Sequence, residues 1–315
     1  MDLSVRVGSL RLANPIMSAS GCFGYGLEYA EVVDLCSLGA VVVKGLFLDE
    51  RPGHPPPRIV ETPSGMLNAI GLQGIGVRRF VAEKLPELRR LGAVVIVNVC
   101  GSTVEEYVEV SKILSDHEGV GALEINISCP NIKEGGLNFG CDLTATRQVV
   151  SAVRRATTLP IIPKLTPNVT SIAAFAQAAE EAGADAVSLV NTFLAMVIDV
   201  ETRRPKLSNV MGGLSGPAIR PIAVRMVYEC AKRVKIPVIG IGGIASARDV
   251  VEFLIAGATA VQVGTANFVD PFIWPKLLEG LRDYLQRHGI ERVVDLVGSV
   301  DLSPRVSHGS TPGCA

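Results

Sequence analysis

No Cys-x-x-Cys pair occurs in this chain, and neither sign of charge is in excess. The seven cysteines (Cys22, Cys36, Cys100, Cys129, Cys141, Cys230 and Cys314) are odd in number and not closely paired. That argues against a disulfide framework and against a zinc or iron–sulfur site held by this chain. Most are expected to be small buried residues or inert surface thiols. The four histidines, His54, His117, His288 and His308, are scattered, and none follows a candidate strand. A histidine-based catalytic centre is therefore not expected, nor is a metal. A net charge of −1 without a basic run leaves no electrostatic footprint for nucleic acid. No apolar stretch reaches the length of a membrane span, and Met1-Asp2-Leu3 does not open a signal peptide. A cytoplasmic protein without a membrane partner is expected.

What is present is 48% hydrophobic residues against 19% charged ones, the balance of a soluble globule with a large core. Length alone permits one large domain or two. The informative feature is a set of eight short apolar runs: Pro15–Ala19, Ala40–Val43, Ala93–Val97, Ala122–Ile125, Ile161–Pro163, Ala186–Val190, Pro237–Ile241 and Ala260–Val263. They lead into Ser20, Lys44, Asn98, Asn126, Lys164, Asn191, Gly242-Gly243 and Gly264-Thr265. β-Branched runs without alternation indicate strands buried on both faces, as in parallel sheets. Eight of them alternating with helical stretches predict an α/β fold, a (β/α)8 TIM barrel forming a single domain over residues 1–315. Its active site belongs at the C-terminal strand ends, where these polar residues fall.

Residues 2–12 alternate around Gly8-Ser9, which predicts a β-hairpin closing the bottom of the barrel. Helices are expected over 26–39, Val77–Leu91, Val104–Leu114, Thr144–Thr157, Ser171–Ala182, Ala247–Ala256 and Ile273–His288. Three long insertions, Phe47–Gly76, Ser128–Asp142 and Ala195–Arg220, follow strands. The first is too long for an ordinary βα loop, and loops of that length are usually functional or disordered. Residues 303–315 look like a flexible tail.

Gly240-Ile241-Gly242-Gly243-Ile244-Ala245 formally fits a dinucleotide fingerprint, but Gly264-Thr265 stands where that motif wants an acidic residue. The better reading pairs Gly242, Gly243, Gly264 and Thr265 as backbone donors to a phosphate, aided by the helix starting near Ser246. The blander reading is two tight turns without a ligand. A single lysine after a strand is usually a snorkelling surface residue. Lys44 and Lys164 both end apolar strands, and a buried ammonium needs an anionic partner or an electron-rich ring. The rival role is a Schiff base. Asn68, Asn98, Asn126 and Asn191 suit a neutral planar ligand with alternating N–H and C=O groups. Loop capping explains any one of them, and four less well. Cys129 lies just past the fourth strand, where a thiolate can act as base or nucleophile.

Asn126-Ile127-Ser128-Cys129-Pro130-Asn131-Ile132-Lys133-Glu134-Gly135-Gly136 resembles the active-site loop of class 1 dihydroorotate dehydrogenases. The same family pattern is matched by Ser18-Ala19-Ser20-Gly21, Val43-Lys44-Gly45, Asn68-Ala69-Ile70-Gly71-Leu72-Gln73, Asn98-Val99-Cys100-Gly101-Ser102, Pro163-Lys164-Leu165, Asn191-Thr192, Gly212-Gly213-Leu214-Ser215-Gly216 and both glycine turns. The matches span nearly the whole chain in order. Lys133-Glu134-Gly135-Gly136 resembles subtype B, which works with NAD through an electron-transfer subunit, rather than the fumarate-using subtype. Gly74-Ile75-Gly76 departs from the usual Asn-Pro-Gly, so a more mobile loop is expected there. Cys100 and Cys141 also replace small or hydroxyl residues.

The resemblance implies oxidation of (S)-dihydroorotate to orotate in de novo pyrimidine (UMP) biosynthesis, with hydride passing to one FMN per chain. Cys129 would take the C5 proton, and Lys44 would reach both flavin and substrate. Ser20, Lys44, Gly45, Asn98, Asn126, Lys164, Val190, Gly216, Gly242, Gly243, Gly264 and Thr265 would bind the cofactor. Lys44, Asn68, Ala69, Ile70, Gly71, Leu72, Asn126, Asn191 and Thr192 would bind substrate. Electrons would pass to NAD through a subunit carrying FAD and a [2Fe-2S] cluster, around a homodimer core of a heterotetramer. The alternatives are a dihydropyrimidine dehydrogenase-like flavoenzyme, which usually has His where Asn131 stands, and a non-redox phosphate-binding lyase using Lys164.

Overall fold

The computed structural model describes residues 1–127 and 140–303. Eight strands form one parallel sheet: β1 (Ile16–Ser18), β2 (Val41–Leu46), β3 (Val95–Val99), β4 (Val120–Asn126), β5 (Ile161–Leu165), β6 (Val187–Leu189), β7 (Val238–Ile241) and β8 (Ala260–Val263). Each pairs with its sequence neighbour, and β8 pairs with β1. A bridge between Met17 and Ala40, with Ser18 N–H donating to the Ala40 carbonyl at 3.2 Å, joins β1 to β2 and closes the ring. The predicted (β/α)8 barrel is the fold observed. Strands such as β3 and β5 are buried along their whole length, because helices cover one face and the barrel interior the other.

The outer layer is α1 (Val77–Glu83), α2 (Leu85–Arg90), α3 (Val104–Ser115), α4 (Leu143–Ala156), α5 (Ile172–Glu181), α6 (Arg220–Ala231), α7 (Ala247–Ala256), the short α8 (Ala266–Val269) and α9 (Ile273–Arg287). Thr103, Asp142 and Ser246 cap α3, α4 and α7 through their side chains. The N-terminal hairpin forms as expected, Val5–Val7 against Leu10–Leu12. It touches Gly121 near the start of β4 and Asp185 just before β6, the bottom end of the barrel.

Two helix expectations change. Residues 26–39 form only two 3-10 turns, Leu27–Tyr29 and Leu35–Ser37, and no α-helix. Asp34 accepts from the Cys36 N–H, a local bond that competes with helix continuation. The stretch 77–91 is split at Lys84, with Pro86 in the first turn of α2, because proline inside a helix removes a donor and crowds the preceding turn.

The insertions also carry structure that periodicity did not reveal. Ile59–Thr62 and Gly65–Asn68 form a hairpin, joined by Gly212–Ser215 and Phe193–Ala195 into a four-stranded antiparallel sheet. The loops after β2 and β6 thus lock together at the C-terminal end of the barrel. Gly74-Ile75-Gly76 is held by reciprocal Arg51–Gly74 backbone bonds of 2.9 and 3.0 Å and by Ile75 N–H donating to Tyr25 Oη at 3.1 Å. Most of the Ser128–Asp142 insertion, including Cys129, and the tail past Ser303 lie outside the described residues.

Candidate active site

The C-terminal half of the barrel interior is polar, where such barrels usually stack branched aliphatics. Glu124 is fully buried, yet its carboxylate receives four donors. Asn98 Nδ2 donates to Oε2 at 2.6 Å, and Lys164 Nζ donates to the same oxygen at 3.5 Å. Ser188 Oγ and Gln262 Nε2 donate to Oε1 at 3.0 and 2.6 Å. Lys164, only 4% exposed, also donates to Ser20 Oγ at 3.0 Å. Leaving one member of such a buried pair without the other costs about 3–5 kcal/mol. Strand geometry puts them together: residues two apart face the same side, so Glu124 and Asn126 both point inward. Asn126 is in register with Lys164, and Asn98 with Glu124.

Above this layer Asn126 Nδ2 donates to Asn98 Oδ1 at 3.2 Å and lies 3.6 Å from Cys100 Sγ. Tyr107, within the helix expected over Val104–Leu114 and not singled out in the sequence, donates its hydroxyl to the Asn126 carbonyl at 2.7 Å. Gly45 closes against the same group. A Cβ there would lie 2.7 Å from Cys100 Sγ and 2.9 Å from Asn98 Oδ1. Ser20, Gly45, Asn98, Asn126 and Lys164 therefore form one connected cluster.

The glycine turns converge beside it. A Cβ on Gly243, whose φ is +77°, would stand 2.9 Å from the Gly216 carbonyl oxygen and from the Arg220 nitrogen. Gly242 packs near Val190, and Thr265 Oγ1 donates to Ser215 Oγ at 2.8 Å. Gly264 abuts Cys22, whose thiol burial pushes up to about 11 despite the pull of Lys164. This is an inert thiol at neutral pH. Val190, Gly216, Gly242, Gly243, Gly264 and Thr265 thus share one corner.

A second group gathers under the small sheet. Asn68 Nδ2 donates to the Gly213 carbonyl at 3.4 Å, and Gly213 faces the Thr192 hydroxyl. Asn191 Oδ1 accepts the Thr192 N–H at 2.9 Å. Asn168, missed in the sequence, braces this turn by donating to the Thr192 carbonyl at 3.1 Å and accepting from Leu194 N–H at 3.0 Å. The segment Ala69–Leu72 is pinned by two other residues that sequence reasoning passed over. His54 N–H donates to the Ile70 carbonyl at 3.0 Å while its Nδ1 lies 3.1 Å from the Ala69 carbonyl oxygen, and Ala69 N–H donates to the Arg58 carbonyl at 2.8 Å. Gly71 and Leu72 both take positive φ, 74° and 56°, so this backbone is bent into an unusual shape. Lys44 is half-buried, and burial holds its ammonium below the ordinary lysine range. The Arg58 charge adds to that depression and Glu28 opposes it.

The C-terminal end of the barrel thus carries a cation-bearing polar floor with a glycine corner and, under the small sheet, a group built on Asn68, Asn191 and Thr192. A family model described as dihydroorotate dehydrogenase matches residues 2–285. The chain belongs to the dihydroorotate dehydrogenase family. Among its relatives is the dihydroorotate dehydrogenase B (NAD(+)), catalytic subunit, of Pelobacter propionicus, 54% identical over 300 residues, covering 95% of this chain and 99% of the relative. Proteins of the same description from Geotalea uraniireducens, 54% identical over 299 residues, and Phocaeicola vulgatus, 53% over 301, cover 95% and 96% of this chain and 98% and 99% of themselves. Among the described residues no helix is long and apolar enough to cross a membrane.

Proposed function

We propose that this dihydroorotate dehydrogenase family member oxidises (S)-dihydroorotate to orotate at an FMN site on the polar floor, and that electrons leave for NAD through a second subunit. The observation that carries the reading is the buried Lys164 ammonium, held between Ser20 and Glu124 at the C-terminal end of the barrel interior. A fixed cation there suits a ring that gains negative charge on reduction. The donor set fits a flavin: Asn98 and Lys164 for the ring, Gly45 and Val190 along it, and the Gly216, Gly242–Gly243 and Gly264–Thr265 corner for a phosphate. A bound FMN supplies two-electron chemistry as hydride acceptor.

The chain's own residues supply the rest. Asn68, Asn126, Asn191 and Thr192 pair with the amide edge of the pyrimidine, and the Ala69–Leu72 backbone and Lys44 receive its carboxylate. Cys129 removes the C5 proton as hydride leaves C6, and its thiolate needs water kept out to do so. The lyase alternative is disfavoured by the Lys164 environment. A Schiff-base lysine is activated by apolar burial or a neighbouring cation, whereas Lys164 sits against a carboxylate. The relatives' names, "NAD(+)" and "catalytic subunit", support a partner, and an FAD and [2Fe-2S] subunit around a homodimer of this chain is the form proposed.

Purified chain is expected to be yellow, to release FMN on denaturation and to bleach anaerobically with dihydroorotate but not with dihydrouracil. Alone it should reoxidise poorly with NAD, and adding a subunit carrying FAD and an iron–sulfur cluster should restore NAD-linked turnover. A colourless protein overturns the flavin reading. Efficient NAD reduction by the isolated FMN-containing chain overturns the partner.

A further inference from the structure

Glu124 touches none of the residues proposed to bind substrate, and it reaches one of them, Asn126, through Asn98. A carboxylate only accepts, so each neighbour must turn a donor toward it. Asn98 therefore gives Nδ2 to Glu124 at 2.6 Å, which forces its Oδ1 the other way, toward Asn126 Nδ2 at 3.2 Å. Lys164 is fixed by the same oxygen, and Gln262 gives up its Nε2 although its own Oε1 finds no partner among the described residues. Replacing such a network by aliphatic side chains is often neutral or stabilising, so stability alone does not account for it.

We propose that Glu124 is a positioning residue: an acceptor-only anchor that sets the amide orientation of Asn98 and, through it, Asn126, aims Lys164, and tempers the positive charge that the flavin ring meets. This rests on the flavin reading above. Two consequences have opposite sign. Removing the negative charge leaves Lys164 less neutralised, so the bound flavin becomes easier to reduce. Removing a donor from Glu124 leaves more of its charge uncompensated, so the flavin becomes harder to reduce.

The test is the midpoint potential of bound FMN in the purified chain for wild type, Glu124→Gln and Ser188→Ala, each with a melting curve and an orotate titration. Glu124→Gln is expected to raise the reduced-to-oxidised ratio at fixed poise about tenfold, about 30 mV for two electrons, and to weaken orotate binding severalfold because Asn98 can now flip and withdraw its Oδ1 from Asn126. Ser188→Ala is expected to lower that ratio about twofold. Unmoved potentials in flavin-containing variants overturn the role of Glu124, as does a shift of both in the same direction. If Glu124→Gln does not fold, Ser188→Ala decides alone: an unmoved or raised ratio overturns the proposal. A wild-type chain that holds no flavin overturns the underlying reading, a distinguishable result.

Discussion

Lys164 Nζ donates to Ser20 Oγ at 3.0 Å, so one ammonium is shared between an inward residue of β5 and the turn after β1. The two strands are not neighbours in the sheet, and the bond spans the barrel interior. A cation so placed cannot swing to solvent, which is what preorganised electrostatic stabilisation requires.

Lys164→Ala should weaken FMN retention by about tenfold or more, on the scale of a lost hydrogen bond from a charged group. It should also make the remaining flavin harder to reduce. Because Glu124 loses its counter-ion, the melting temperature falls as well, and Lys164→Arg should recover part of both. Flavin content and potential equal to wild type would remove Lys164 from the site.

The barrel was legible because β-branched runs without alternation have few other homes, and the polar strand ends followed from where a barrel exposes its strands. The small antiparallel sheet was not. Its strands are three or four residues long, and the pairing that joins the two insertions, Gly65–Asn68 with Gly212–Ser215, spans distant parts of the chain, which leaves no local period to find. Glu124 is harder to read for a simpler reason: it sits within an apolar run, Ala122–Ile125, whose visible polar residue is the Asn126 that follows it. A carboxylate inside Ala122-Leu123-Glu124-Ile125 was itself a signal, since charged residues are rarely fully buried unless paired. His54 and Arg58 act through bonds to loop carbonyls and through charge, neither of which spacing encodes.

Orotate binding should weaken with rising pH sooner than an ordinary lysine predicts. Burial first, then Arg58, lowers the Lys44 pKa, so its ammonium is present below that lowered value and lost as pH rises through it. Arg58→Leu removes one depressing charge, so the alkaline limb should move to higher pH even though overall affinity falls. Titration of flavin absorbance with orotate from neutral to alkaline pH measures this, and an unmoved limb would separate Lys44 from the carboxylate.

His54→Ala should loosen the Ala69–Leu72 segment. One hydrogen bond is worth about 1 kcal/mol, so KM for dihydroorotate should rise about fivefold with kcat changed less. Steady-state kinetics at fixed acceptor decide it. A fall in kcat at constant KM would place His54 nearer the chemistry than its contacts suggest.

Cys129→Ser tests the proposed base. A positioned general base contributes about 10²–10⁴-fold, and a serine hydroxyl is too weak an acid to furnish an anion at neutral pH. The rate of anaerobic flavin reduction by dihydroorotate should fall by at least about 100-fold. The rate should then climb toward higher pH, where a weaker acid begins to ionise. FMN retention should hold, because the residues proposed to bind the ring and phosphate lie on β-strands and turns other than the Cys129 loop. That combination separates a lost base from a collapsed site. Flavin reduced at the wild-type rate in this variant would assign the proton at C5 to another group.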